Sequence, residues 1–280
     1  MFACFAVCPV AAQSVGPANG SLVVAGGALQ DPTEFARFVE LAGGPSAPIV
    51  VIPTAGGAPD YDQFFGGRRP FEEAGAQHIT VLHTYDREVA DTDEFAGSIR
   101  RARGVWFTGG RQWRLADSYL DTKVHDALWD LLERGGVIGG SSAGASIQAS
   151  YLVRGDTETN TVMMGDHEVG LGFLRNVAVD QHLLRRNRQF DLLEVVEARP
   201  ELLGIGLDEN TAIVVRGDTF EVLGQSYAVI YDNQATLDGG GRFYFLAPGD
   251  RFDMAERKAT RPSVSRDPLE RVTPTPWPNR

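Results

Sequence analysis

Gly140–Ser141–Ser142–Ala143–Gly144 fits the pattern G-x-S-x-G, in which small residues let a strand turn sharply into a helix and leave the middle serine on the turn. Val137–Gly139 is apolar and short enough to be the strand, and Ala145–Ser150 reads as the helix that follows. Ser142 is therefore the candidate nucleophile, at the carboxyl end of a sheet, where open α/β sheets bind ligands. The start of the helix offers free amide donors to a developing oxyanion. The Ala143 amide is the first of these, and Gly110, in a glycine pair closing an earlier strand, offers a second.

A serine needs a base to take its proton. Of the five histidines, His78 and His83 flank a strand, His125 lies inside a helical pattern and His167 sits in the polar run Asp166–His167–Glu168. Those three adjacent side chains cannot converge on one ion, so no metal site is expected there. His182 is different, because Asp180–Gln181–His182 ends a strand and opens a stretch rich in arginine at Arg185, Arg186 and Arg188. Polar side chains at the end of a strand belong at a site rather than in a core. The acid that orients the imidazole has three contenders: Asp180, and Asp208 or Glu209, which close the apolar run Leu203–Leu207.

Positioning these residues requires a sheet, and the chain supplies one. Ser21–Ala25, Pro48–Pro53, His78–His83 and Val105–Thr108 read as buried strands. Between them Pro32–Leu41, Tyr61–Ala74 and Asp93–Arg103 read as helices, the last with Thr92 as N-cap, and Lys123–Arg134 follows as a longer one. Such alternation implies an α/β fold, a mostly parallel sheet with helices on both faces. After Tyr151 the pattern changes: a polar stretch over 155–172, a strand at Asn176–Asp180, a helix at Arg186–Ala198, then extra C-terminal strands joined by short turns up to Asp232.

With 280 residues, 43% hydrophobic and 22% charged, the chain has the make-up of a packed globular protein. One α/β domain over 13–255 is expected. Lys plus Arg total 26 against 37 Asp plus Glu, a net charge of −11, which excludes general nucleic-acid binding. The two cysteines, Cys4 and Cys8, exclude a disulfide scaffold and remove cysteine as nucleophile. Both lie in residues 1–12, an uncharged apolar run in which Val10 and Ala12 sit three and one residues before a cleavage point at Gln13. This segment is expected to be a signal-peptide remnant, which implies a secreted or periplasmic protein, and it is too short to span a membrane. Residues 256–280 carry five prolines and six basic residues and are expected to be a solvated tail.

Taken together, Phe107–Thr108–Gly109–Gly110 with Gln112, Gly140 with Ser142–Ala143–Gly144, Asp180–Gln181–His182 and the run Gly204–Ala212 (GIGLDENTA) resemble the cyanophycinase and dipeptidase E family of serine peptidases. Their order and spacing are more similar to the cyanophycinase branch, and the likeness spans Ser21 to about Asp232. The resemblance implies a fold like that of class I glutamine amidotransferases with serine in place of cysteine. It implies Ser142 as nucleophile, His182 as base and Glu209 as orienting acid. It further implies that Gln112, Asp180, Gln181 and Arg186 line the substrate pocket. The substrate would be cyanophycin, a poly-aspartate backbone bearing arginine on each side-chain carboxylate, cleaved to β-Asp-Arg dipeptides with no metal or organic cofactor. A homodimer is one assembly open to such a chain.

Two charges depart from the family pattern. Arg111 stands where an acidic residue is usual after the glycine pair, and Asp191 where an arginine is common on the helix after the histidine. Both bear on substrate choice and keep an aspartyl or isoaspartyl dipeptidase as an alternative. An α/β-hydrolase esterase shares the serine elbow but orders its residues Ser, acid, His. Here no histidine follows His182, so that order would squeeze the acid between Ser142 and His182. A non-catalytic peptide-binding homologue would have no need of all three triad residues.

Overall fold

The computed structural model describes residues 14–234 and 241–262. The segment read as a signal-peptide remnant lies outside them. The first half of the chain runs β1 (Ser21–Ala25), α1 (Thr33–Ala42), β2 (Pro48–Ile52), α2 (Arg69–Glu73), β3 (His78–Val81), α3 (Arg87–Ala90), α4 (Asp93–Arg101), β4 (Gly104–Phe107), α5 (Gln112–Tyr119), α6 (Lys123–Glu133) and β5 (Val137–Ser141). The second half runs α7 (Ala143–Ser146), β6 (Ala149–Tyr151), β7 (Leu174–Gln181), α8 (Asp191–Ala198), β8 (Leu203–Leu207), β9 (Thr211–Arg216), β10 (Thr219–Gly224), β11 (Ala228–Asp232), β12 (Phe243–Leu246), β13 (Arg251–Asp253) and β14 (Lys258–Thr260).

Two sheets result. One has the order β14-β13-β10-β9-β1-β5-β4-β2-β3, the other β12-β11-β8-β7-β6. The expected parallel core is β1-β5-β4-β2-β3 in the first sheet and β6-β7-β8 in the second. Both sheets are mixed overall, because the C-terminal strands join them antiparallel. Strand β14 lies inside the span read as a tail, so ordered pairing reaches Thr260.

The central strands of the first sheet, β1, β4 and β2, are apolar on both sides because each side meets helices. Leu22 and Val24 of β1 face one cluster with Val50, Ile52, Val105 and Phe107, covered by Ile99 of α4, Leu115 of α5 and Leu128 of α6. Val23 and Ala25 face the other with Ile49, Val51 and Trp106, covered by Phe38 of α1 and Phe71 of α2. In the second sheet, Ala178, Val229 and Tyr231 pack under Leu192, Val195 and Val196 of α8.

Three helical expectations are corrected. Over 61–74 only a 3₁₀ turn at Gly66–Arg68 and the short α2 form, because Gly66–Gly67 interrupts the pattern and Pro70 restarts it. Helix α8 begins at Asp191 rather than Arg186, since Asn187 has φ 53° and cannot continue a helix. The helix after the serine is one turn. Its carbonyl at Gly144 accepts from the Gln148 side chain at 2.9 Å, and the chain then enters β6. Helix α5 and strand β6 have no counterpart in the sequence reading. The Thr92 cap forms as expected, its Oγ accepting from the Phe95 amide at 3.2 Å.

Candidate active site

Ser142 sits between β5 and α7 with φ 56° and ψ −115°, a conformation costly to a residue with a side chain. Two glycines make the turn possible. A Cβ on Gly140 would lie 2.2 Å from the Gly144 carbonyl oxygen, and one on Gly144 2.2 Å from that of Phe107. The Ser142 amide donates to the Ala25 carbonyl at 3.0 Å, tying the turn to β1. The Ala143 amide stands at the first helical position, where no intrahelical acceptor exists. Gly109 lies against the serine, its Cβ position 3.7 Å from Ser142 Oγ, and Gly110 follows with φ 145°.

His182 approaches from the other sheet, at the end of β7. Its amide donates to the Gly26 carbonyl at 3.0 Å, fastening β7 to the end of β1. Its Nε2 lies 2.9 Å from Ser142 Oγ and its Nδ1 2.7 Å from Glu209 Oε1. Residues 40 and 27 positions apart thus form one hydrogen-bonded line. Such a line lets an imidazole receive the hydroxyl proton while the carboxylate holds the ring and supports the cation that forms. A Cβ on Gly27 would press into the imidazole at 2.4 Å, so only glycine leaves room for the ring in this position.

Burial holds the His182 pKa below the ordinary imidazole value, because the charged form loses water. The Glu209 hydrogen bond opposes this, and the Arg186 charge adds to it. The imidazole is therefore neutral, ready to accept a proton, through the neutral range.

The three acids divide their work. Glu209 faces the imidazole. Asp208 accepts from the Leu184 and Arg185 amides at 3.0 and 2.9 Å and from Ser226 Oγ at 2.7 Å, so it holds the turn that follows His182. Asp180 is fully buried, and the cation facing it belongs to the protein: Arg154 Nε and Nη2 reach its two oxygens at 2.7 and 2.9 Å. The same guanidinium donates to Asp191 at 2.5 Å and to the Asn160 carbonyl at 3.0 Å. Burial works against the Arg154 charge, and the two carboxylates more than restore it, so its pKa is raised.

The remaining residues expected to line a pocket are mostly engaged with the protein. Gln112 donates to the Val153 carbonyl at 2.8 Å and is buried, and Gln181 accepts from Arg188 at 2.9 Å. Arg186 is exposed beside His182. Arg111 turns away from the serine to the Asp156 carbonyl at 2.6 Å. Asp191, the other departure in charge, pairs with Arg154 at the edge of the protein. Arg154 escaped the sequence reading. It lies in an unpatterned stretch with φ 56°, and no local motif marks an arginine whose partners stand 26 and 37 residues away. His167 bonds Asp117 and Asp166, and no group of three or more His, Cys, Asp or Glu side chains is placed to hold a metal among the described residues. No helix among them is long and apolar enough to cross a membrane.

Known proteins share this arrangement of sequence and fold. The chain is 34% identical to the cyanophycinase of Trichormus variabilis over 250 residues, covering 82% of each chain. It is 34% identical to that of Geminocystis herdmanii over 226 residues, covering 78% of this chain and 82% of the other. A crystal structure of a peptidase from an acI-B1 Actinobacterium superposes with a TM-score of 0.66 at 24% identity, covering 85% of this chain and 98% of that one, and shows the same fold. The model of peptidase family S51 matches residues 22–223, most of the chain, so the chain belongs to peptidase family S51.

Proposed function

We propose that this peptidase hydrolyses cyanophycin to β-Asp-Arg dipeptides, with Ser142 as nucleophile, His182 as general base and acid, and Glu209 as the acid that orients it. The line Ser142–His182–Glu209 at 2.9 and 2.7 Å on a strained elbow carries the reading. The curated relatives named as cyanophycinases support the substrate. Ser142 Oγ attacks the amide carbonyl as its proton passes to His182 Nε2. The amides of Gly110 and Ala143 receive the oxyanion. The imidazolium then protonates the leaving amine, and a water activated by the same imidazole cleaves the acyl-enzyme. Arg186, exposed beside the base, meets a substrate carboxylate. Gln112, Asp180 and Gln181 act one layer behind, by holding the segments that carry the oxyanion donors and His182.

The deciding experiment incubates the protein with insoluble cyanophycin granules and, in parallel, with short β-Asp-Arg and α-Asp-X peptides, and reads product masses. β-Asp-Arg released from granules is the expected result. Cleavage of α-Asp-X alone would install the second reading, an aspartyl dipeptidase. That reading draws its support from Arg111 and Asp191, which bond the Asp156 carbonyl and Arg154 within the chain.

The pH profile is a further test. The lowered His182 pKa places the acid limb of kcat/KM below about pH 6.5, the ordinary imidazole value. Arg186→Gln removes a cation and moves that limb upward. The sign for stability is the same: the unfolded chain binds the proton first, so His182 withdraws stability as pH falls below about 6.5. An acid limb at or above the ordinary histidine value would remove His182 from the role of base.

The apolar segment 1–12 supports export of the protein. Four aromatic rings support a homodimer: Phe190, Phe243, Phe245 and Tyr227 follow one another at 5.9, 5.9 and 5.6 Å, three of them well exposed. Light scattering on the purified protein, which reads one or two copies, tests the latter.

A further inference from the structure

Beside the segment that carries Gly110 lies a cavity of about 330 Å³ lined by Gly57, Tyr85, Trp113, Arg114, Asp117 and Ser118. Its volume suits one amino-acid residue. Arg114 is fixed in its wall: Nη1 donates to the Ala55 carbonyl at 3.0 Å, and the guanidinium stands 5.2 Å over the Trp113 ring. A Cβ on Gly57 would lie 2.2 Å from that nitrogen, so the glycine opens the space Arg114 fills. The Ala55 carbonyl also accepts from the Arg111 amide at 2.8 Å, so the cavity wall and the oxyanion segment hang on one oxygen.

The charges are the informative part. Arg114 and Asp117 are three residues apart on α5, a spacing at which opposite charges normally meet. Arg37 and Glu40 do so on α1, at 2.6 Å. Arg114 and Asp117 form no ion pair among the described residues. Asp117 Oδ1 meets His167 at 2.8 Å instead, and the side chain is 54% exposed, which leaves Oδ2 open. The cavity therefore presents one fixed cation and one carboxylate, separated, with aromatic rings at its wall. A simple cation would be repelled by Arg114, and a simple anion by Asp117. Trp113 Nε1 is buried with no acceptor among the described residues, so the ring offers the cavity its face rather than a donor.

We propose that this cavity is a subsite for a zwitterionic arginine residue of the substrate. The arginine carboxylate pairs with Arg114, its guanidinium with Asp117 Oδ2, and its methylene stem lies against Trp113 and Tyr85. The proposal rests on the cyanophycin reading for the occupant's identity, and no covalent step occurs in the cavity.

Paired substrates test it: oligomers bearing β-linked arginine and the same oligomers bearing citrulline, which keeps the shape and loses the charge. The wild type is expected to favour arginine about tenfold in kcat/KM, and Asp117→Asn to abolish that preference through KM with kcat unchanged. An arginine-to-citrulline ratio unaltered by Asp117→Asn overturns the subsite while leaving the peptidase reading intact. If neither oligomer is cleaved, the peptidase reading fails instead, and the subsite is then judged by calorimetry with β-Asp-Arg on Ser142→Ala protein. Affinity about tenfold weaker after Asp117→Asn supports it, and equal affinity overturns it.

Discussion

Ser142→Ala is expected to lower kcat by about 10⁶-fold while the protein stays folded, since alanine accepts no worse a backbone than serine at φ 56°. What activity remains would come from oxyanion donors and binding, which do not need the hydroxyl. A companion change separates chemistry from strain. Ser142→Gly loses the hydroxyl too but frees the elbow from a conformation that costs about 1–3 kcal/mol, so it is expected to melt higher than the parent. The measurements are hydrolysis of a β-aspartyl substrate and thermal unfolding of all three proteins. Retained hydrolysis in Ser142→Ala would end the serine mechanism. A glycine variant that melts lower than the alanine variant would show that the elbow is not strained.

The second large effect lies away from the reacting atoms. Arg154→Ala leaves the Asp180 carboxylate fully buried without its bidentate partner. Removing one member of a buried pair costs about 3–5 kcal/mol. At this chain length that corresponds to a fall in Tm of roughly 5–9 °C. The fault lies in the uncompensated charge rather than in lost packing, so Arg154→Met combined with Asp180→Leu is expected to recover most of the loss. Calorimetric unfolding of the single and double variants decides it. A single variant within 1 kcal/mol of the parent would mean that Asp180 has another route to neutrality.

Much of this site could be read from residue order because strand ends announce themselves. Apolar runs that stop at Gly140–Ser142, at Asp180–His182 and at Asp208–Glu209 place polar groups at sheet rims, and three such rims meet. The apolar strands β1, β2 and β4 were legible for the same reason, as runs bounded by glycine, proline or threonine. Two kinds of feature stayed hidden. Helices of one or two turns, such as α2 and α7, are too short for a 3.6-residue period to show, and their ends depend on side chains such as Gln148. The split into two sheets and the Arg154 cluster depend on pairings between residues far apart in the chain, which neither composition nor spacing records. Among the three acids, local sequence left Asp180, Asp208 and Glu209 level, and the resemblance pointed to Glu209. The geometry separates them by giving Asp180 to Arg154, Asp208 to the turn and Glu209 to the imidazole.

The joint between the sheets has a consequence for partly unfolded copies. Ser142 follows β5 of the nine-stranded sheet, and His182 and Glu209 follow β7 and β8 of the five-stranded one, later in the chain. The chain through α7 contains Ser142 but neither His182 nor Glu209. The line depends on β7 meeting β1 through the His182 amide and the Gly26 carbonyl, with Glu209 supplied from further along the chain. Under the proposed mechanism, a copy whose second sheet has come away keeps the serine but loses the line that would activate it.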